Sequence, residues 1–230
     1  MNNINQVLHI DKETCDPEAE KLFIEIGGLG RPGEKFDRMR ANAKEIRQKV
    51  DSRIVMDAVY SYFEDIQLQG NQLTVGGQCL TCNAFEQIEP SSVRGVYVYL
   101  LTAGKYDCED EPILDQVFAD MWGTAFTDAA LALLEDYLGN DKRLSEVFGP
   151  GFFGMNLSQM QELAKLVDAD SIGVEVREDS YLMPIKSCGG LYFVVTDKYT
   201  SVNTACADCL GNASGCQFCS INLQHKELLG

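Results

Sequence analysis

Apolar positions recur along this chain in two periods, one near 3.6 residues and one of two, and the two predict a mixture of helices and strands. Ala19, Leu22, Phe23 and Ile26 share one stripe between Asp16-Pro17 and Gly27, which reads as a cap, a first-turn proline and a stop signal around a short helix. Phe36, Met39, Ala43, Ile46 and Val50 repeat the helical spacing, and Ile54 to Phe63 is then rich in β-branched and aromatic residues, as a strand is. Ile66 and Leu68, then Gly70-Asn71, then Leu73 and Val75 form a hairpin pattern. Val93 to Thr102 reads as a buried strand, and Asp110-Glu111-Pro112 opens a long helix that runs to Leu138 and stops at Gly139-Asn140, with Gly123 as its weak point. Ser158 and Gln161 have capping-box spacing ahead of a helix to about Val167, and Ile172–Val176 and Leu191–Val195 read as further strands. Strands and helices without regular βαβ alternation predict an α+β fold with a mixed or antiparallel twisted sheet and flanking helices.

Composition narrows the function classes. The 230 residues are 45% hydrophobic and 23% charged, enough for a sizeable core. Lys and Arg number 19 against 35 acidic residues, a net charge of -16, so a surface that neutralises phosphates is not expected and nucleic-acid binding is excluded. No run approaches the roughly 20 apolar residues of a membrane span. Met1 to Ile10 also lacks a basic and apolar leader pattern, so a cytoplasmic protein without membrane association is expected.

The cysteines carry the strongest local chemical signal. Cys206-x-x-Cys209 and Cys216-x-x-Cys219 are separated by six residues, among them Gly211 and Gly215, which permit the reversal that brings four thiolates to one centre. Four thiolates suit tetrahedral zinc or an iron–sulfur cluster, and the spacing leaves both open. The chain is accordingly divided into a main domain over 1–204 and a cysteine-rich metal-binding tail over 205–230. Cys79 and Cys82 follow Gly76-Gly77 where a strand-to-helix turn is expected, a setting that would lower the first thiol's pKa and permit a redox pair. Cys188 is expected to pack as a small hydrophobe. With only two histidines, His9 and His225, a histidine-based triad is excluded, and no catalytic acid, base or nucleophile is assigned. Arg38, Arg40, Lys44, Arg47 and Lys49 are the only concentration of positive charge.

One order of motifs is more specific than its parts. Phe148-Gly149-Pro150-Gly151-Phe152-Phe153 is followed by a capped helix, then Ile172-Gly173-Val174, then Glu178-Asp179-Ser180-Tyr181-Leu182-Met183-Pro184-Ile185-Lys186-Ser187. This order resembles the activation domain of vitamin B12-dependent methionine synthase, and Ala119-Asp120 and Ala125-Phe126 in the preceding long helix agree with that layout. The resemblance spans most of 15–200 and is strongest over 110–195. It implies an α+β domain that binds S-adenosylmethionine in a shallow groove, with Gly149, Pro150, Gly151, Phe152, Glu178 and Ser187 as the positions that carry over. It further implies a partner, methionine synthase or another corrinoid methyltransferase. Oxidised cobalamin on that partner is reduced by a donor such as flavodoxin or ferredoxin and is remethylated.

This sequence departs from the family pattern at two positions. The loop arginine, suited to pairing with the ligand carboxylate, is replaced by Val147, and the loop tyrosine by Phe152, leaving Arg143 as the nearest cation in sequence. Two functions are therefore carried forward. The first is an S-adenosylmethionine-dependent reactivase of a cobalamin protein. The alternative is a non-catalytic iron–sulfur or zinc module for electron transfer or docking, which keeps the fold and has lost the ligand.

Overall fold

Aromatic and aliphatic side chains alternate along the central strands, and both faces of the sheet they form are buried. The computed structural model describes residues 3–106 and 112–202. In chain order the elements are β1 (Asn3–Ile10), α1 (Lys12–Ile26), α2 (Glu34–Val50), β2 (Ile54–Phe63), β3 (Ile66–Gln69), β4 (Gln72–Val75), β5 (Gln78–Thr81), β6 (Val93–Gly104), α3 (Ile113–Gly139), α4 (Gln159–Ala164), β7 (Glu175–Val176), β8 (Leu182–Met183) and β9 (Ser187–Val195). The main sheet has the order β1-β2-β6-β9; β3-β4-β5 and β7-β8 form two smaller sheets. Among the described residues every strand pairing is antiparallel, which settles the choice between a mixed and an antiparallel sheet there.

Alternation along the strands assigns each face. Tyr60, Tyr62, Tyr97, Tyr99, Leu101 and Tyr192 face α1, α2 and α3, where Phe23, Ile46, Trp122 and Phe126 complete one core. Val59, Val96, Val98, Leu100, Leu191 and Phe193 face the other way, toward the small β3-β5 sheet, α4 and the β7-β8 hairpin. At 27 residues α3 is long and apolar enough to cross a membrane on length and composition, but its Phe118, Trp122, Phe126, Leu134 and Leu138 are buried against protein.

Three local expectations are corrected. Helix α1 starts earlier than Asp16: Asp11 is the N-cap, its carboxylate accepts from the Thr14 N–H at 2.9 Å, and Pro17 lies inside the helix. Burial of Cys15 in the helix-side core explains the extra turn, because packing outweighs the bond that proline cannot make. Ser158 makes no side-chain cap, and α4 ends at Ala164; Gln161, the other half of the expected capping box, donates to the Arg177 carbonyl instead. Ile172 belongs to a 3-10 turn over Ala169–Ile172, leaving only Glu175–Val176 as strand. Strand β1 is an edge strand with mostly exposed residues, and only Leu8 and Ile10 pack against the core, an alternation too short to announce it in the sequence.

Candidate functional site

The glycine-rich segment after α3 is bound directly to strand β9. The Phe148 N–H donates to the Leu191 carbonyl at 2.9 Å, and the Leu191 N–H donates to the Phe148 carbonyl at 2.7 Å. Glycine makes this approach possible on both sides. A Cβ on Gly149 would lie 2.9 Å from the Gly189 carbonyl oxygen, and one on Gly190 would lie 2.6 Å from the Phe148 carbonyl oxygen. Beyond Pro150, which is buried, Gly151 and Gly154 take φ values of +95° and +80° and reverse the chain. The turn is closed by Phe152 N–H to Gly149 O at 3.0 Å, Gly151 N–H to Met155 O at 2.9 Å and Met155 N–H to Phe152 O at 2.8 Å. Phe153 turns inward, its ring edge-on to Phe148 at 5.9 Å, whereas Phe152 is 64% exposed.

The second expected segment enters the same strand. Glu178 stands exposed in the turn between β7 and β8, a turn closed by Ser180 N–H to Arg177 O at 2.8 Å and Arg177 N–H to Tyr181 O at 2.9 Å. Ser187 opens β9 opposite Thr102 of β6, and its hydroxyl bonds the Thr102 hydroxyl at 2.9 Å. The fold thus brings the Gly149–Phe152 loop to the strand that Ser187 begins, while Glu178 stays at the hairpin tip. Exposed Phe152, Leu157, Tyr181 and Ile185 belong to the loop and hairpin segments. These segments offer aromatic faces, a hydroxyl and glycine-rich main chain, a set that suits stacking and orientation of a planar group more than proton transfer.

The charges fall elsewhere than expected. Val147 is half-buried against the helix-side core. Arg143 does not reach the loop: its guanidinium donates to the Thr196 and Tyr199 carbonyls at 3.3 and 3.5 Å, beyond the opposite end of β9. The cation at the start of β9 is Lys186, whose ammonium lies 2.7 Å from the Asp120 carboxylate and 3.0 Å from the Thr124 hydroxyl. Its place in the family-like segment was visible in sequence, but not its partners; the consecutive glycines 189 and 190 inside a strand were the readable sign of close backbone approach.

Other candidates resolve into structure. Cys79 is exposed on β5, and Cys82 is fully buried at the end of that strand, where its thiol bonds the Phe153 carbonyl. The segment after Cys82 is a 3-10 turn over Asn83–Gln87 rather than an α-helix, and burial pushes the Cys82 thiol pKa up rather than down. Burial likewise pushes Cys15 up to about 11 and Cys188 up to about 12, so both remain thiols at neutral pH. The five basic residues singled out in α2 are matched by acids: Arg38 by Glu34, Arg40 by Asp37, Lys44 by Glu20, Arg47 by Asp16 and Asp51, and Lys49 by Asp115. Cys206, Cys209, Cys216 and Cys219 lie outside the described residues. Among the described residues no group of three or more His, Cys, Asp or Glu is placed to hold a metal.

A four-stranded antiparallel sheet, covered by three helices on one face and carrying a glycine loop on its edge strand, defines the class: this is an α+β domain with the reactivation-domain fold. One solved structure to which it is similar is a MetH reactivation domain bound to AdoHcy, with a TM-score of 0.64 over 86% of this chain and 80% of that one. Identity is 11%, so the likeness establishes the fold. No family model matches the sequence, and no curated protein matches it either.

Proposed function

We propose that this protein reactivates the cobalamin of methionine synthase or of another corrinoid methyltransferase, using S-adenosylmethionine as methyl donor. The observation that carries the reading is the glycine loop seated on β9 in a domain whose fold is that of a reactivation domain solved with AdoHcy. S-adenosylmethionine would supply the methyl group, and the chain's own work is binding and orientation. In this reading Gly149, Pro150 and Gly151 hold the loop against the strand and Phe152 presents an aromatic face. Ser187 contributes a hydroxyl, and Glu178 a carboxylate at the hairpin tip. The electron for cobalamin reduction comes from a flavodoxin- or ferredoxin-type donor, or passes through an iron–sulfur centre at Cys206, Cys209, Cys216 and Cys219; zinc at those cysteines makes the tail a structural clasp. With -16 net charge and Arg38, Arg40, Lys44, Arg47 and Lys49 of α2 already paired, an acidic donor would need another docking face.

A second reading is favoured by a specific pair of observations: Val147 stands where the ligand-pairing arginine is expected, and Arg143 is committed to Thr196 and Tyr199. It is a metal-bearing docking or electron-transfer module without the ligand. Calorimetry with S-adenosylmethionine and with AdoHcy separates the two: micromolar binding supports the reactivase, and no heat at millimolar ligand rejects it in favour of the module.

A further inference from the structure

The corner that joins β8 to β9 has little to hold it by burial. Leu182 is buried, but Tyr181 and Ile185 are 66% and 72% exposed, so apolar contact anchors the corner only at its start. Lys186 does the opposite of what a surface lysine does. Its side chain is 14% exposed and lies along α3 across Gly123, to end between the Asp120 carboxylate at 2.7 Å and the Thr124 hydroxyl at 3.0 Å. Its carbonyl accepts the Ala103 N–H at 2.7 Å, so main chain and side chain hold the residue from two sides.

The seat for that side chain is built by the absence of a Cβ. A Cβ on Gly123 would lie 2.7 Å from Lys186 Cγ, 2.9 Å from Lys186 Cε and 2.9 Å from the Tyr106 ring. A glycine in the interior of a 27-residue helix costs stability relative to alanine, and here it opens the channel that the lysine stem occupies. Exposed ion pairs contribute little because both chains are free and solvated; a stem laid in a glycine channel has already lost that freedom to packing.

We propose that Lys186 is a positioning residue of the candidate site: its ammonium, clasped by Asp120 and Thr124 over Gly123, pins the 183–187 corner to α3, and this sets the placement of Ser187 and the affinity for an adenosyl ligand. The ligand half of this inference rests on the proposed function; the clasp does not. Lys186 takes no part in bond making, and acts through the strand start that it holds.

The test uses the full chain and three variants. Lys186→Met keeps the stem over Gly123 and removes the charge, Lys186→Arg keeps a charge, and Asp120→Asn removes the ion pair from a side chain that is 66% exposed, where misfolding is not expected. Amide hydrogen exchange over 183–187 is expected to rise about tenfold in Lys186→Met and Asp120→Asn, the factor that matches one charge-assisted hydrogen bond, and to return toward the unaltered rate in Lys186→Arg. AdoHcy affinity measured by calorimetry is expected to fall in parallel. Unchanged exchange in both Lys186→Met and Asp120→Asn overturns the clasp. Raised exchange with unchanged AdoHcy affinity overturns its positioning role. Absence of AdoHcy binding by the unaltered protein overturns the functional reading and with it the ligand half, while the exchange data still decide the clasp.

Discussion

Gly149 and Gly189 meet backbone to backbone: a Cβ on Gly149 would stand 2.9 Å from the Gly189 carbonyl oxygen. That contact, with the paired hydrogen bonds between Phe148 and Leu191, attaches the loop to the edge of the main sheet. Gly149→Ala and Gly190→Ala must each push main chain apart, because the atoms in the way are carbonyl oxygens rather than yielding side-chain ends. Each is expected to cost about 1–3 kcal/mol in urea unfolding. Both are also expected to weaken AdoHcy binding. An alanine at Gly149 with unaltered stability would show that the loop is not seated as described.

Reactivity should divide Cys79 from Cys82. Cys79 is exposed, whereas Cys82 is buried with its thiol pKa raised by desolvation. Brief alkylation of the folded protein, read by peptide mapping, is expected to label Cys79 and to spare Cys82 until denaturant is added. Equal labelling of the two, or a native disulfide between them, would restore the redox pair that their spacing suggested.

Stability should fall at both ends of the pH scale. Asp51 is held below the usual carboxylate value of 3.8 by bonds from Lys12 and Arg47, and Asp11 by bonds from Thr14. A depressed acid stabilises the fold above its unfolded pKa, and the gain disappears as pH drops below about 4 and through the lower folded values. At the other end, burial raises the phenols of Tyr99, Tyr106 and Tyr192 above the usual 10.0. The unfolded chain releases those protons first, so stability falls as pH rises past about 10. Denaturant midpoints across pH, with tyrosinate absorbance followed on the alkaline side, are expected to show a plateau between these limits and cooperative tyrosine ionisation on unfolding.

Metal content tests the tail independently of the ligand site. If Cys206, Cys209, Cys216 and Cys219 bind a metal, protein purified without oxygen should carry either about four irons with a broad visible band or one zinc without colour. Cys209→Ser should lower that stoichiometry while the main domain still melts in one transition. Metal content identical in Cys209→Ser would refute the assignment.

Local pattern was enough for a good part of this fold. Strand β2 spans the expected Ile54–Phe63, the β3-β4 hairpin turns at Gly70-Asn71, and the long helix ends near Gly139, because period, turn chemistry and stop signals act over a few residues. The order of motifs from Phe148 to Ser187 likewise pointed to the reactivation-domain fold that the solved structure shares. Trp122 of that long helix is buried in the core, donates its indole N–H to the Ala43 carbonyl at 2.9 Å and stacks on Phe23.

What the sequence could not determine was decided by partners distant along the chain. The edge strand β1 exists because β2 offers it a ladder, and Cys79 lies on β5 because β4 pairs with that segment. Arg143 is drawn to carbonyls beyond the far end of β9 and away from the loop it neighbours in sequence. Lys186 finds Asp120 across 66 positions, through a channel that only Gly123 leaves open. Spacing along a chain specifies which side chains share a face; which cation meets which carboxylate is set by the packing of separate elements, and only the tertiary structure supplies that.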